Sequence, residues 1–216
     1  MTDLADLLAE IRACAHCAAH LPRGPRPVLR ASPTARLLII GQAPGTRVHE
    51  TGIPWNDRSG DRLRTWLEMD REVFYDAARI AIVPMGFCYP GIVGGRPEKV
   101  DAGFSLRRPD KAKRRNGGDA PPRPECAPLW HDRILALMPD IRLTLLVGHY
   151  AQARYLGQRR GKTLTETVRR FAEFLEDGIL PLPHPSWRTT AWERRDAGFT
   201  TELLPVLRAR LREMGF

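Results

Sequence analysis

Three groups of residues in this 216-residue chain have types and spacings that could do chemistry. Four cysteines stand as Cys14-x-x-Cys17, then singly at Cys88 and Cys126, with 70 and then 37 residues intervening. Zinc ribbons and fingers pair a C-x-x-C with a second close pair of ligands, so this spacing better suits a site gathered from separate elements. Four unrelated thiols, or zinc on the same ligands, stay open on spacing alone. The second group is Gly41-Gln42-Ala43-Pro44-Gly45, which closes an apolar run. Small residues and proline there would let the backbone approach a ligand closely, although many ordinary strand-to-turn junctions look the same. The third is His184-Pro185-Ser186-Trp187, whose imidazole could donate a hydrogen bond to developing negative charge. A bare His-Pro-Ser is more often a surface turn.

Between these groups, Thr51 to Asp61 carries Trp55, Asn56 and Asp57, followed by Ser59 and Gly60. An aromatic ring can stack on a planar ligand, and a carboxylate can act as a general base. Asp57 reads equally well as a helix-capping carboxylate.

The elements that must position these residues alternate between strand and helix. Leu4, Leu7, Leu8 and Ile11 at helical spacing predict a short helix over 3–13 that delivers Cys14. A Pro/Arg-rich loop follows over 20–34. Strands are expected at 36–40, 80–85, 142–147 and 178–182, the last leading into His184. Residues 46–60 read as a polar connection, with Ser59 a candidate N-cap for a helix holding Leu63, Trp66 and Leu67. Further helices are expected at 128–138, 150–156, 164–175 and 199–214. Such alternation predicts a parallel sheet with helices on both faces, whose site lies beyond the carboxyl ends of the strands.

The chain reads as a single domain over 1–216, without internal repeat, interrupted by a Pro/Gly-rich insertion at about 90–125. That insertion holds Arg107, Arg108, Lys111, Lys113, Arg114, Arg115 and Arg123. A loop this long is functional or disordered, and its charge is either a phosphate-binding surface or a solvated run. With 34 Lys and Arg against 25 Asp and Glu, the net charge of +9 suits a polyanionic partner. No apolar run nears the length of a membrane span and no secretory leader is visible, so the expectation is a reducing cytoplasm, with association to the nucleoid. There, cysteines serve as ligands more often than as disulfides.

Taken together, these segments resemble the iron–sulfur branch of the uracil-DNA glycosylase superfamily over nearly the whole chain. Gly41 to Gly45 is similar to motif 1, written GEAPG in family 4 and GLAPA in family 5. His184-Pro185-Ser186-Trp187 resembles motif 2, and Cys126-Ala127-Pro128-Leu129-Trp130 resembles the CxP(W/Y)L segment of both families. Residues 51–61 blend the GxPFVGxAG stretch of family 4 with the GDxSG stretch of family 5.

The resemblance implies a three-layer α/β/α fold around a central, mainly parallel four-stranded sheet. It implies a [4Fe-4S] cluster on Cys14, Cys17, Cys88 and Cys126. It implies a monomeric, monofunctional glycosylase that flips deoxyuridine out of single- or double-stranded DNA and hydrolyses its N-glycosidic bond. Asp57, His184 and Gln42 would be catalytic. Gly41, Ala43, Pro44, Gly45, Trp55, Asn56 and Ser186 would hold the base and sugar. Trp187, Arg188, Lys113, Arg114 and Arg115 would contact DNA, with Trp187 and Arg188 as a wedge.

Two departures matter. Gln42 replaces the family 4 glutamate, so water activation falls to Asp57, with Glu50 and His49 behind it. Pro84 replaces a uracil-reading asparagine, leaving base readout to Asn56, Gln42 or the amides of residues 85–87. The basic loop also lacks the histidine with which one branch crosslinks DNA. A cluster-containing protein that binds damaged or abasic DNA without turnover is the alternative.

Overall fold

The four apolar runs form the strands β1 (Leu37–Ile40), β2 (Ile80–Ile82), β3 (Leu143–Val147) and β4 (Ile179–Leu182) in the computed structural model, which describes residues 3–93 and 118–216. Their order is β2-β1-β3-β4 and every pairing is parallel. Leu37 lies opposite both Ile80 and Leu143, and Leu145 opposite Leu180.

The strands read as nearly unbroken hydrophobic runs because both faces of the sheet are covered. Leu37, Ile39, Ile80, Ile82, Leu143, Leu145, Leu180 and Leu182 point to one face, Leu38, Ile40, Ala81, Val83 and Leu146 to the other. The first face packs on α3 (Arg58–Leu67), α7 (Leu164–Arg169) and α10 (Leu204–Glu213). The second packs on α1 (Leu4–Arg12), α5 (Cys126–Leu135) and α6 (His149–Leu156). The shorter helices are α2 (Thr46–Thr51), α4 (Arg71–Tyr75), α8 (Phe171–Leu175) and α9 (Thr189–Arg195). This is the three-layer α/β/α architecture expected, its sheet wholly rather than mainly parallel among the described residues.

Local chemistry sets the helix ends. Asp3 caps α1 by accepting from the Asp6 amide at 2.8 Å, and Leu4, Leu7, Leu8 and Ile11 are buried beneath it. Truncating a fully buried core residue such as Leu63 to alanine should cost about 2–5 kcal/mol.

The structure corrects the sequence reading in several places. The connection after β1 contains α2, a six-residue helix that a periodicity scan is too coarse to detect. The cap of α3 is Asp57 rather than Ser59. The helix expected over 164–175 breaks at Arg170 into α7 and α8. The final helix begins with a π-helical turn, Phe199–Leu203, before α10. The cationic cluster from Arg107 to Arg115 lies outside the described residues.

Candidate active site

The strands end on the same side, and β1 is the switch point, since β2 and β3 flank it on opposite sides. β1 runs into Gly41–Gly45, β2 toward Pro84, β3 into Gly148 and β4 into His184. Gly41, Gln42, Ala43, Pro44 and Gly45 line one pocket with Trp55, Asp57, Pro84, Asp119 and His184. Residues 143 positions apart thus face one ligand space because parallel strands deliver all their carboxyl ends to one edge. Gly148, at φ +87°, passes behind the imidazole, and a Cβ there would sit 3.6 Å from the His184 Cβ.

Trp55 forms a wall of this pocket at the cost of an unusual backbone. Its φ is +55°, in the left-handed region that disfavours large side chains. Two donors hold it there: the Tyr75 hydroxyl at 3.1 Å and the Arg64 guanidinium at 3.4 Å both donate to its carbonyl oxygen. Arg64 is itself buried and paired with Asp61 at 2.5 Å. Gly60 completes the fixture, since a Cβ there would lie 1.7 Å from the Trp55 carbonyl oxygen. The ring consequently rests over Gly41, whose Cβ would approach Cζ2 to 2.8 Å, and stands 5.7 Å from the His184 ring.

Asp57 is the cap of α3 and also a lining residue of the pocket. Its Oδ1 accepts from the Gly60 amide at 2.8 Å, capping α3. Its carboxylate also borders the pocket and acts electrostatically on His184 and on Asp119. His184 is half-buried as a residue, and the surrounding protein lowers its pKa by desolvation, with Asp57 opposing. The imidazole is therefore neutral at physiological pH and can donate from one nitrogen without carrying charge.

The His184 loop is clamped from α3. Arg62 donates to the Ser186 carbonyl at 2.9 Å and to Thr190 Oγ1 at 2.7 Å, and pairs with Glu193 at 2.5 Å. Thr189 Oγ1 donates to the His184 carbonyl at 2.5 Å. The helix capped by Asp57 thus also fixes the loop that carries the imidazole.

Gln42 turns its amide nitrogen outward, donating to the Ala120 carbonyl at 2.9 Å, which leaves Oε1 as the acceptor available to a ligand. The backbone amides considered for base readout are committed. Met85 donates to Gly41 and Gly86 to Gln42, each at 2.9 Å, and Phe87 donates to Cys126 Sγ at 3.4 Å. Asn56 borders the site in sequence, but its side-chain oxygen accepts from Arg71 at 3.3 Å, outside the pocket lining. The Ser186 hydroxyl lies 3.5 Å from that of Thr189. Glu50 is exposed and paired with Arg23 at 2.9 Å, and His49 is buried beside Tyr89, so neither reaches the pocket. Trp187, three residues beyond His184 in sequence, is 74% exposed with Arg188 against its ring. Lys113, Arg114 and Arg115 fall outside the described residues.

The four cysteines meet on one other cavity, 112 positions of sequence closing on themselves. Cys14 follows α1, Cys17 precedes a 3-10 turn at Ala18–His20, Cys88 follows β2, and Cys126 opens α5. Burial raises the pKa of Cys17 and Cys88, and pushes Cys126 to about 12, with neighbouring thiols adding to the effect. Half-buried thiols gathered on one cavity, with Cys17, Cys88 and Cys126 resisting ionisation, are what a cationic centre would neutralise. Among the described residues, no group of three or more His, Cys, Asp or Glu side chains is set to hold a metal ion. The arrangement surrounds a cavity rather than converging on a point.

Sequence reasoning missed two site residues. Asp119 sits in the Pro/Gly-rich insertion, where no periodicity places it. Arg62 reads as one more solvated helix cation, because its partners lie 124 or more positions away. Among the described residues, no helix is long and apolar enough to cross a membrane. Compared with known families, residues 30–208 match the model of the uracil DNA glycosylase superfamily.

Proposed function

The chain belongs to the uracil DNA glycosylase superfamily, and on that premise we propose that it hydrolyses the N-glycosidic bond of deoxyuridine in DNA, releasing uracil and leaving an abasic site. The observation that carries this reading is the convergence of the turn at Gly41–Gly45, the Trp55 ring, Asp57 and His184 on one pocket at the carboxyl edge of the sheet.

Hydrolysis breaks the C1′–N bond with its electron pair going to the base, while a water oxygen bonds C1′ and surrenders a proton. The flipped base would lie against Trp55, close to the unsubstituted Gly41 backbone. His184, neutral and desolvated, would donate to the base oxygen that gains charge as the bond breaks. Asp57 would hold the attacking water and aim it at C1′ through the oxygen that does not cap α3. Gln42 would accept from the base N–H through Oε1. A carbonyl beside an N–H is present in uracil and absent from cytosine, so this pair of contacts separates the deaminated base from its parent. The exposed Trp187 and Arg188, close behind His184 in the chain, would fill the gap left by the extruded nucleotide.

The cysteine cavity fits a [4Fe-4S] cluster: four thiols, a backbone N–H on Cys126 Sγ, and raised pKa values that ligation would reverse. Cys14, Cys17, Cys88 and Cys126 would hold it, and it would supply a crosslink between α1, the β2 exit and α5. Purified protein incubated with a uracil-containing duplex, then treated with alkali, tests the function. Strand scission at the uracil is expected; retention of intact duplex would replace the reading with damage binding.

A further inference from the structure

Asp119 is a pocket carboxylate that neither motif supplies. The chain on either side of residues 94–117 returns to the site as a short two-stranded strap. Ala120 N donates to Gly91 O at 2.8 Å, Val93 N donates to Gly118 O at 3.0 Å, and Ile92 bridges Asp119 antiparallel. Two ties fix the strap over the pocket. Gln42 Nε2 holds the Ala120 carbonyl at 2.9 Å, and the bare Gly86 admits Pro122, which a Cβ there would meet at 3.0 Å. The Asp119 side chain then reaches the motif 1 turn, with Oδ2 3.4 Å from where a Cβ on Gly45 would stand.

We propose that Asp119 is a second catalytic carboxylate of this site, holding the attacking water jointly with Asp57, and that Gln42 is the positioning residue that sets it in place. The inference rests on the glycosylase reading above. A water hydrogen-bonded to two carboxylates presents its oxygen lone pair to C1′. As the C1′–N bond breaks toward the base, that oxygen bonds C1′ and its proton passes to Asp119. The base leaves as an anion held by His184, and the proton returns through solvent.

Three observations separate this role from a structural one. The Asp119 carboxylate accepts no hydrogen bond and joins no ion pair among the described residues, whereas a carboxylate that merely fastened a strap would meet a donor. It keeps water access at the mouth of a pocket meant for a polyanion, where an idle negative charge would weaken binding. Burial first, and the Asp57 charge second, raise its proton affinity above that of an ordinary carboxylate, which improves it as a base near neutral pH. Among the described residues, the charged or titratable groups near it are Asp57 and His184 across the pocket, and Arg188 beside Gly118.

The test is single-turnover excision from a uracil duplex by full-length wild type, Asp119→Asn, Asp57→Asn and Gln42→Ala, across pH. Asp119→Asn should slow the chemical step by about 10²-fold or more, the usual scale for a lost general base, with the duplex Kd little changed. The acid limb of the wild-type profile should lie above the ordinary carboxylate range. It should move to lower pH in Asp57→Asn, because the neighbouring charge is gone. Gln42→Ala, which loses the base contact as well as the tie to the strap, should slow the chemical step, and circular dichroism melts confirm that each variant is folded. A fully active Asp119→Asn, or one slowed only through Kd with its acid limb in place, overturns this inference alone. A wild type that releases no base overturns the glycosylase reading, and this one with it.

Discussion

Replacing Gly60 by alanine reaches the active site through a single carbonyl oxygen. The new Cβ would fall 1.7 Å from the Trp55 oxygen, where a contact of at least 3.0 Å is required, so the oxygen must retreat by more than an ångström. The flexible end of a side chain could yield cheaply; this backbone atom cannot. Its retreat strains an already left-handed residue and draws it from the Tyr75 and Arg64 donors. Overpacking costs about 1–3 kcal/mol, and weakening one neutral and one charged hydrogen bond adds roughly 1–3 more, so a loss of about 2–6 kcal/mol is expected. In urea, at an unchanged m of about 2 kcal/mol/M, this is a midpoint lowered by about 1–3 M. Because the same shift moves the Trp55 ring away from Gly41 and His184, base excision well below the melting temperature should fall by about 10²-fold. Tyr75→Phe is the control: it removes one donor without intrusion, and should cost about 1 kcal/mol with a much smaller loss of rate. If Gly60→Ala unfolds at the wild-type midpoint and excises at the wild-type rate, the claim that Trp55 is held by this fixture is refuted.

Asp57→Asn should keep the α3 cap, since asparagine caps as well as aspartate, and so leave stability within about 0.5 kcal/mol while slowing excision by about 10²-fold or more; chemical denaturation and single-turnover kinetics measured together separate the two roles. Arg62→Met should free the His184 loop, lowering kcat by about tenfold to 10²-fold with KM for DNA nearly constant. His131 is fully buried, with Nε2 donating to the Pro84 carbonyl at 3.0 Å and Nδ1 accepting from Tyr155 at 2.6 Å, and burial lowers its pKa to about 4. The unfolded chain binds that proton more readily, so stability should be complete above about pH 6.5 and decline by up to roughly 3 kcal/mol as pH falls toward 4; a His131→Gln variant should lose this slope in melts across pH. Neutralising Lys113, Arg114 and Arg115 together should flatten the salt dependence of DNA binding by up to about three phosphate contacts, read from the slope of log K against log salt.

Much of this arrangement was legible in the sequence, and the reasons differ by residue. The strands were legible because burial on both faces forces uninterrupted apolar runs. Gly41 and His184 were legible because each follows such a run, and parallel strands send their ends to one edge. The four cysteines border one cavity, as a rare residue type with ligand chemistry would suggest. Asp57 could not be assigned between cap and catalyst because it borders the pocket and caps α3 at once. The Trp55 backbone was invisible, since nothing in a Pro-Trp-Asn run announces a left-handed tryptophan; only Gly60, five residues on, hints that something must come close. Asp119 was hidden because tertiary ties from Gln42 and Gly86 place it, rather than any local preference. Asn56 illustrates the converse: it neighbours Trp55 in sequence, but the turn directs it to Arg71.

The most direct test of the central claim is quantitation of free base and abasic sites in one reaction, using excess wild-type enzyme on a duplex with a single uracil and a matched duplex with cytosine in its place. Uracil and abasic sites should form in equal amounts from the first duplex, none from the second, with His184→Ala slower by about 10²–10³-fold. An intact uracil duplex after complete binding, or a His184→Ala rate equal to wild type, would contradict the assignment of this pocket to glycosidic hydrolysis.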